Sequence, residues 1–120
     1  MAKNLEISFL LDFYGDMLTE KQRNVVELYY NEDLSLAEIA VHSQITRQGV
    51  RDSIKRAEGI LLDLEERLGL AKRFRTIQEG LDRIIEDARE IEAQSRRIGI
   101  SKEITDRTGD IIAIANSINE

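Results

Sequence analysis

Seven side chains crowded into residues 46–56 have the chemistry of a nucleic-acid reader: Thr46, Arg47, Gln48, Arg51, Asp52, Lys55 and Arg56. Arginine and glutamine are the side chains best shaped to hold guanine and adenine edges through two hydrogen bonds at once. A helix beginning after Thr46 would add backbone N–H groups suited to a phosphate. Residues 43–57 contain four basic side chains and one acid, a local charge of +3 in a chain whose net charge is −6. On an arbitrary helix such a stripe is simply the solvated face. The apolar spacing that precedes it argues for more.

That spacing defines two helices and a turn. Ser35 with Glu38 three residues later is a capping box, in which each side chain satisfies a backbone N–H of the helix start. The helix runs through Ile39, Ala40 and Val41 and stalls at His42, Ser43 and Gln44. Thr46 then caps a longer helix that opens with Arg47, Gln48 and Gly49. Ile39, Ala40, Ile45, Val50 and Ile54 turn inward: Ala40 is small where two helices cross, and Ile45 plugs the turn. This is the helix-turn-helix pattern, whose second helix lies in a DNA major groove. Gln44 stands where such turns usually have glycine, so a less tight or differently closed turn is expected. Gly49, in the first turn of the second helix, costs up to about 1 kcal/mol relative to alanine.

At 120 residues with 42% hydrophobic content and few aromatics, the chain supports one domain with a helical extension and a core of Leu, Ile and Val. The absence of proline and the scarcity of glycine favour an all-α fold. There are no cysteines, so disulfides and thiolate metal sites are excluded, which fits a reducing cytoplasm. No apolar run reaches the roughly 20 residues that cross a bilayer, so no membrane insertion is expected. Asp12 and Asp16 interrupt the apolar N-terminal patch, which does not read as a signal peptide.

In chain order, residues 5–14 read as a helix with Leu5, Phe9, Leu10 and Phe13 on one face, ended by Gly15 and Asp16. Thr19 and Gln22 form a second capping box, and the helix they open points Val25, Val26, Leu28 and Tyr29 inward before stopping at Asn31, Glu32 and Asp33. The helix after Thr46 continues through Ile60, Leu61 and Leu64 to Leu68, with Gly69 as its C-cap. Residues 1–70 are thus expected to form a helix-turn-helix head. In residues 71–120, Phe74, Ile77, Leu81, Ile84, Ala88, Ile91, Ser95 and Ile98 recur at spacings of three and four. Such a seam needs a partner surface, either the head or a second copy, and the second is favoured because helix-turn-helix proteins usually dimerise. Phe74, Ile77, Leu81, Ile84, Ala88 and Ile91 are the expected dimerisation residues. Gly99 breaks the run, and Ser101 caps a last helix with Ile104, Ile111, Ala115 and Ile118 on one side.

The segment LTEKQRNVVELYYNEDLSLAEIAVHSQITRQGVRDSIKRAEGIL resembles the region-four domain of bacterial sigma factors in its caps, core positions and Arg-rich second helix. None of the 120 residues is expected to form the domain with which a sigma factor grips core polymerase, so a complete sigma factor is not the expectation. By the same pattern one ring of Tyr29 and Tyr30 belongs in the core and one near the surface. Over its length, from NLEISFLLDFYGDMLTEKQ into RAEGILLDLEERLGL, the sequence is similar to the YlxM-like family of small bacterial helix-turn-helix proteins. Genes of that family usually sit beside those of the signal recognition particle or its receptor. The resemblance implies a regulator, or a participant in that targeting pathway, and brings no established activity.

Enzymatic chemistry finds no foothold. His42 is the only histidine, the acid pairs Glu32–Asp33 and Glu65–Glu66 are adjacent and diverge on a helix, and no phosphate-cradling glycine loop is present. The expectation is a non-enzymatic, cofactor-free, metal-free, cytoplasmic homodimer. Arg47, Gln48, Arg51 and Asp52 would face base edges of duplex DNA, and Thr46, Lys55 and Arg56 its phosphates. Two alternatives stay open: an accessory protein of the signal recognition particle, and a module that touches a sigma factor or RNA polymerase.

Overall fold

The computed structural model describes residues 2–99 and 101–119. The described residues form six α-helices and no strand: α1 (Glu6–Tyr14), α2 (Glu20–Tyr30), α3 (Leu36–Ser43), α4 (Arg47–Leu68), α5 (Leu70–Ile98) and α6 (Lys102–Asn119). A short 3₁₀ turn, Gly15–Met17, joins α1 to α2. The chain divides into two compact units, Met1–Lys72 and Arg73–Glu120.

In the first unit α4 is the spine. Val50, Ile54, Ala57 and Leu61, spaced by four, three and four, form one fully buried stripe along it. The upper half of that stripe, Val50 and Ile54, packs with Val25 and Tyr29 of α2 and with Ile39 and Ala40 of α3. The lower half, Ala57 and Leu61, packs with Ile7, Leu10, Leu11 and Tyr14 of α1. One helix therefore holds the turn motif and the rest of the head in register. Both capping boxes form: Thr19 and Ser35 each accept from the N3 backbone while Gln22 and Glu38 reach back to the cap N–H groups.

The face of α1 differs from expectation. Leu5 is 82% exposed and precedes the helix, and Phe9 and Phe13 lie half-buried at its flank. The buried stripe is Ile7, Leu10, Leu11 and Tyr14. Tyr14 displaces the phenylalanines because its ring fills the core while its hydroxyl finds polar partners on α4 and α5.

The turn between α3 and α4 closes in the usual way despite Gln44. Gln44 adopts the left-handed conformation (φ 57°, ψ 40°), and the N–H groups of Gln44 and Ile45 both donate to the Ala40 carbonyl. A side chain in this conformation costs on the order of 1 kcal/mol that glycine avoids. Gln44→Gly is therefore expected to raise stability by up to about 1 kcal/mol, less the greater freedom of glycine in the unfolded chain. A urea midpoint that falls instead would show that the Gln44 side chain stabilises the turn.

The second unit is an antiparallel helical hairpin. Near the bend the Ser95 hydroxyl meets the Ser101 carbonyl and Thr105 Oγ1. Further out, Glu92 lies beside Gly109, and ten residues from each of these Asn119 donates to Asp82. Gly99 supplies the positive φ at the end of α5, and Ser101 caps α6 through the Ile104 N–H. The expected single seam of α5 splits in two. Ala88 and Ser95 are buried and Leu81 half-buried, joined by Ile85 in facing α6, whereas Phe74, Ile77, Ile84, Ile91 and Ile98 are exposed. Likewise Thr108 and Ala115 are the buried residues of α6, while Ile104, Ile111 and Ile118 stand in solvent. The inward rows carry Ala88, Ser95, Thr108 and Ala115 together with Ile85 and Ile112, and the other isoleucine rows face outward.

Candidate nucleic-acid interface

All seven residues singled out in the sequence lie exposed on or at the start of α4. Thr46 is the N-cap, its hydroxyl accepting from the Gly49 N–H at 2.9 Å. A Cβ at position 49 would sit 3.1 Å from that hydroxyl, so Gly49 accommodates the cap rather than weakening the helix by accident. With Val50 and Ile54 fixing the buried side, Arg47 and Arg51 fall on one flank, Gln48, Asp52 and Lys55 on the outer pole, and Arg56 on the other flank.

Charge pairing separates this surface from much of the rest. Arg23, Arg67, Arg83, Arg96 and Arg107 each hold a carboxylate within 4 Å. Among the described residues Arg47, Arg51, Lys55 and Arg56 hold none, so no internal pairing must be broken before they meet an anion. Gln48 Nε2 donates to Asp52 Oδ1 at 2.9 Å, one turn apart. That bond orients the Gln48 amide and leaves its carbonyl oxygen and second N–H facing outward. It also gives Asp52 a structural role on α4 that does not depend on any ligand.

Sequence reasoning missed the contribution of α2. Its N-terminal turn, with Thr19, Lys21 and Gln22, borders a shallow groove whose other wall is Gly49, Asp52, Ser53 and Arg56 of α4. Lys21 is exposed there and adds a cation beside Arg56. The signal was available in the Thr19–Gln22 capping box, which fixes where α2 starts, but not in the spacing within α4. His42 is exposed near the end of α3, away from any cluster that could hold a metal among the described residues.

Behind this surface, Tyr30 ties three segments together. Its hydroxyl donates to Glu58 Oε2 of α4 at 2.6 Å and accepts from the Asn4 N–H, and its ring meets the buried Tyr29 edge-on. Burial first, then the hydrogen bond to Glu58, pushes the Tyr30 phenol up to about 12. An acid with a raised pKa binds its proton more tightly folded than unfolded. Its stabilisation is complete below the ordinary value of 10.0 and disappears as pH rises to about 12. The head is expected to lose stability across that window, and Tyr30→Phe to remove that part of the loss. Thermal midpoints measured against pH for both proteins check this; parallel curves would overturn it.

Fold and surface together define a helix-turn-helix protein. The chain belongs to the YlxM / p13 like helix-turn-helix family, UPF0122, whose signature matches residues 1–108. It is similar to a UPF0122 protein of Clostridium kluyveri, 50% identical over 72% of this chain and 78% of that one. A relative in Desulforamulus reducens is 42% identical over 88% and 96%, and one in Acetivibrio thermocellus 40% identical over 93% and 98%. No helix among the described residues is long and apolar enough to cross a membrane.

Proposed function

We propose that the head is a sequence-reading DNA-binding module of a regulatory protein, with the first three turns of α4 laid into the major groove. The observation that carries this reading is the set of four unpaired cations on the exposed side of the motif's second helix. Arg47, Gln48 and Arg51 meet base edges, with Asp52 as acceptor for a cytosine amine and as the anchor of Gln48. Lys55 and Arg56 meet phosphates, with Lys21 as a further phosphate contact from α2.

Arg51→Ala is expected to cost about 1–3 kcal/mol on a preferred duplex and to relax sequence preference, while Lys55→Ala weakens all duplexes alike and flattens the salt slope by about one unit. Selection from a random duplex library supplies the preferred site. If both variants bind that site as tightly as wild type, the assignment is wrong.

The likeness to a family whose genes neighbour those of the signal recognition particle motivates a second reading, in which the same cations bind folded RNA. A-form RNA has a deep, narrow major groove that a helix cannot enter, so binding would follow shape and charge. Competition between duplex DNA and the particle RNA decides between them. Contact with RNA polymerase or a sigma factor, motivated by the region-four resemblance, predicts retention of polymerase subunits on the immobilised protein without DNA.

A further inference from the structure

We infer that the α5–α6 hairpin is half of a four-helix bundle, completed by the hairpin of a second copy of this chain, and that both helices contribute to the joining face. The inference does not depend on what the head binds.

With Leu81, Ala88 and Ser95 taken as position a of a heptad, the residues turned toward α6 are a and e: Leu81, Ile85, Ala88, Glu92 and Ser95. In α6 the same two positions, through Thr105, Thr108, Ile112 and Ala115, turn toward α5. The d row of each helix is then isoleucine at every seventh residue: Ile77, Ile84, Ile91 and Ile98 on α5, and Ile104, Ile111 and Ile118 on α6. Because the helices are antiparallel and both turn a and e inward, their d rows fall on the same side of the hairpin. The opposite side carries Asp82, Glu86, Arg89 and Arg96 of α5 with Lys102 and Asp106 of α6. One broad side is thus apolar and the other charged.

The seven isoleucines are between 38% and 61% exposed. Their combined exposed surface is on the order of 600 Å², approaching the roughly 800 Å² per partner of a standard stable interface and at the upper end of what a monomer ordinarily leaves in one patch. The hairpin interior is built mainly of Ala, Ser and Thr with two isoleucines and a leucine. Most of its isoleucines point away from its own core, an arrangement with little stability in an isolated two-helix unit. Two flat faces, each bearing two parallel isoleucine rows at heptad spacing, are self-complementary. Pairing them about a twofold axis gives four helices around one apolar core.

This differs from a coiled coil of α5 alone, since α6 is an equal participant and Leu81 and Ala88 serve the hairpin rather than the interface. The test is the solution mass of the full chain by light scattering and sedimentation. The wild type is expected at twice 13.8 kDa, with a thermal midpoint that rises with protein concentration. Ile84→Glu and, separately, Ile111→Glu should each weaken association roughly a hundredfold or more, whereas Glu86→Lys on the charged side should not. A monomeric wild type with a concentration-independent midpoint would overturn the inference and leave the face to the head or to another protein. A dimer that Ile84→Glu dissociates and Ile111→Glu leaves intact would overturn the part played by α6. Should the variants fail to fold, the wild-type mass and its concentration dependence still decide the matter.

Discussion

Replacing Glu65 by alanine is expected to lower the stability of the head by about 2–4 kcal/mol. Glu65 sits in the last turn of α4, yet its carboxylate serves the next helix. Oε1 accepts from the Ala71 N–H and Oε2 from the Lys72 N–H, each at 3.0 Å, while Tyr14 donates to Oε1 at 2.6 Å. The Tyr14 hydroxyl in turn accepts from the Leu70 N–H at 3.0 Å. Three of the backbone donors that open α5 are therefore satisfied by side chains from α4 and α1. A negative charge also lies where the positive end of the α5 dipole needs it. Bonds to a charged acceptor are worth about 1.5–3 kcal/mol each, and partial solvent access reduces the total below their sum. Glu65→Gln should recover part of the loss, since its one amide oxygen replaces only one of the two carboxylate oxygens and carries no charge. Tyr14→Phe should fall between. The check is urea unfolding followed by a probe of the first unit. A Glu65→Ala midpoint within experimental error of wild type would remove the argument.

That junction shows where a linear reading stops. The caps of α2, α3 and α4 are local, each made by a side chain within three residues of the N–H it serves, and Thr19, Ser35 and Thr46 announced them. Gly69 announced the end of α4. The cap of α5 comes from Glu65 before the glycine and from Tyr14 more than fifty residues earlier, and no spacing rule encodes it. The face of α1 was misassigned for a related reason: Phe9 and Phe13 are more hydrophobic than Tyr14, but only Tyr14 can fill the core and satisfy Leu70 and Glu65 together. In α5 the pattern was legible and its allocation was not. Rows at spacings of three and four show that a helix has apolar faces, and only the partner helix shows which row lies against it. Small side chains at Ala88, Ser95, Thr108 and Ala115 were the available clue. The exposed surface of α4 was the most legible part, because Val50 and Ile54 fix its buried side and leave the cations spread over the remaining, solvent-facing arc.

Replacing Arg47, Arg51, Lys55 and Arg56 together by glutamine is expected to weaken duplex binding about a thousandfold near physiological salt. Each phosphate neutralised releases counterions and contributes about 0.9 to the slope of log K against log salt. Four such contacts give a slope change of between about three and four units. None of the four cations holds an internal partner, so their loss exposes no carboxylate, and the like-charged neighbours Arg47–Arg51 and Arg51–Lys55 that it neutralises repel by only about 0.2–0.5 kcal/mol each. The unfolding midpoint should stay within about 0.5 kcal/mol of wild type, as for surface substitutions generally. The size of the slope change also divides the roles. If Arg47 and Arg51 contact bases while Lys55 and Arg56 contact phosphates, the quadruple variant loses only about two units of slope but also loses discrimination between preferred and random duplexes. If all four lie on phosphates, the slope falls by its full amount and discrimination, carried by Gln48 and Asp52, survives at lower affinity. Titrations at several salt concentrations, with a preferred and a scrambled duplex, distinguish these outcomes. A variant that binds with wild-type strength and wild-type slope would place the DNA-binding surface somewhere other than α4.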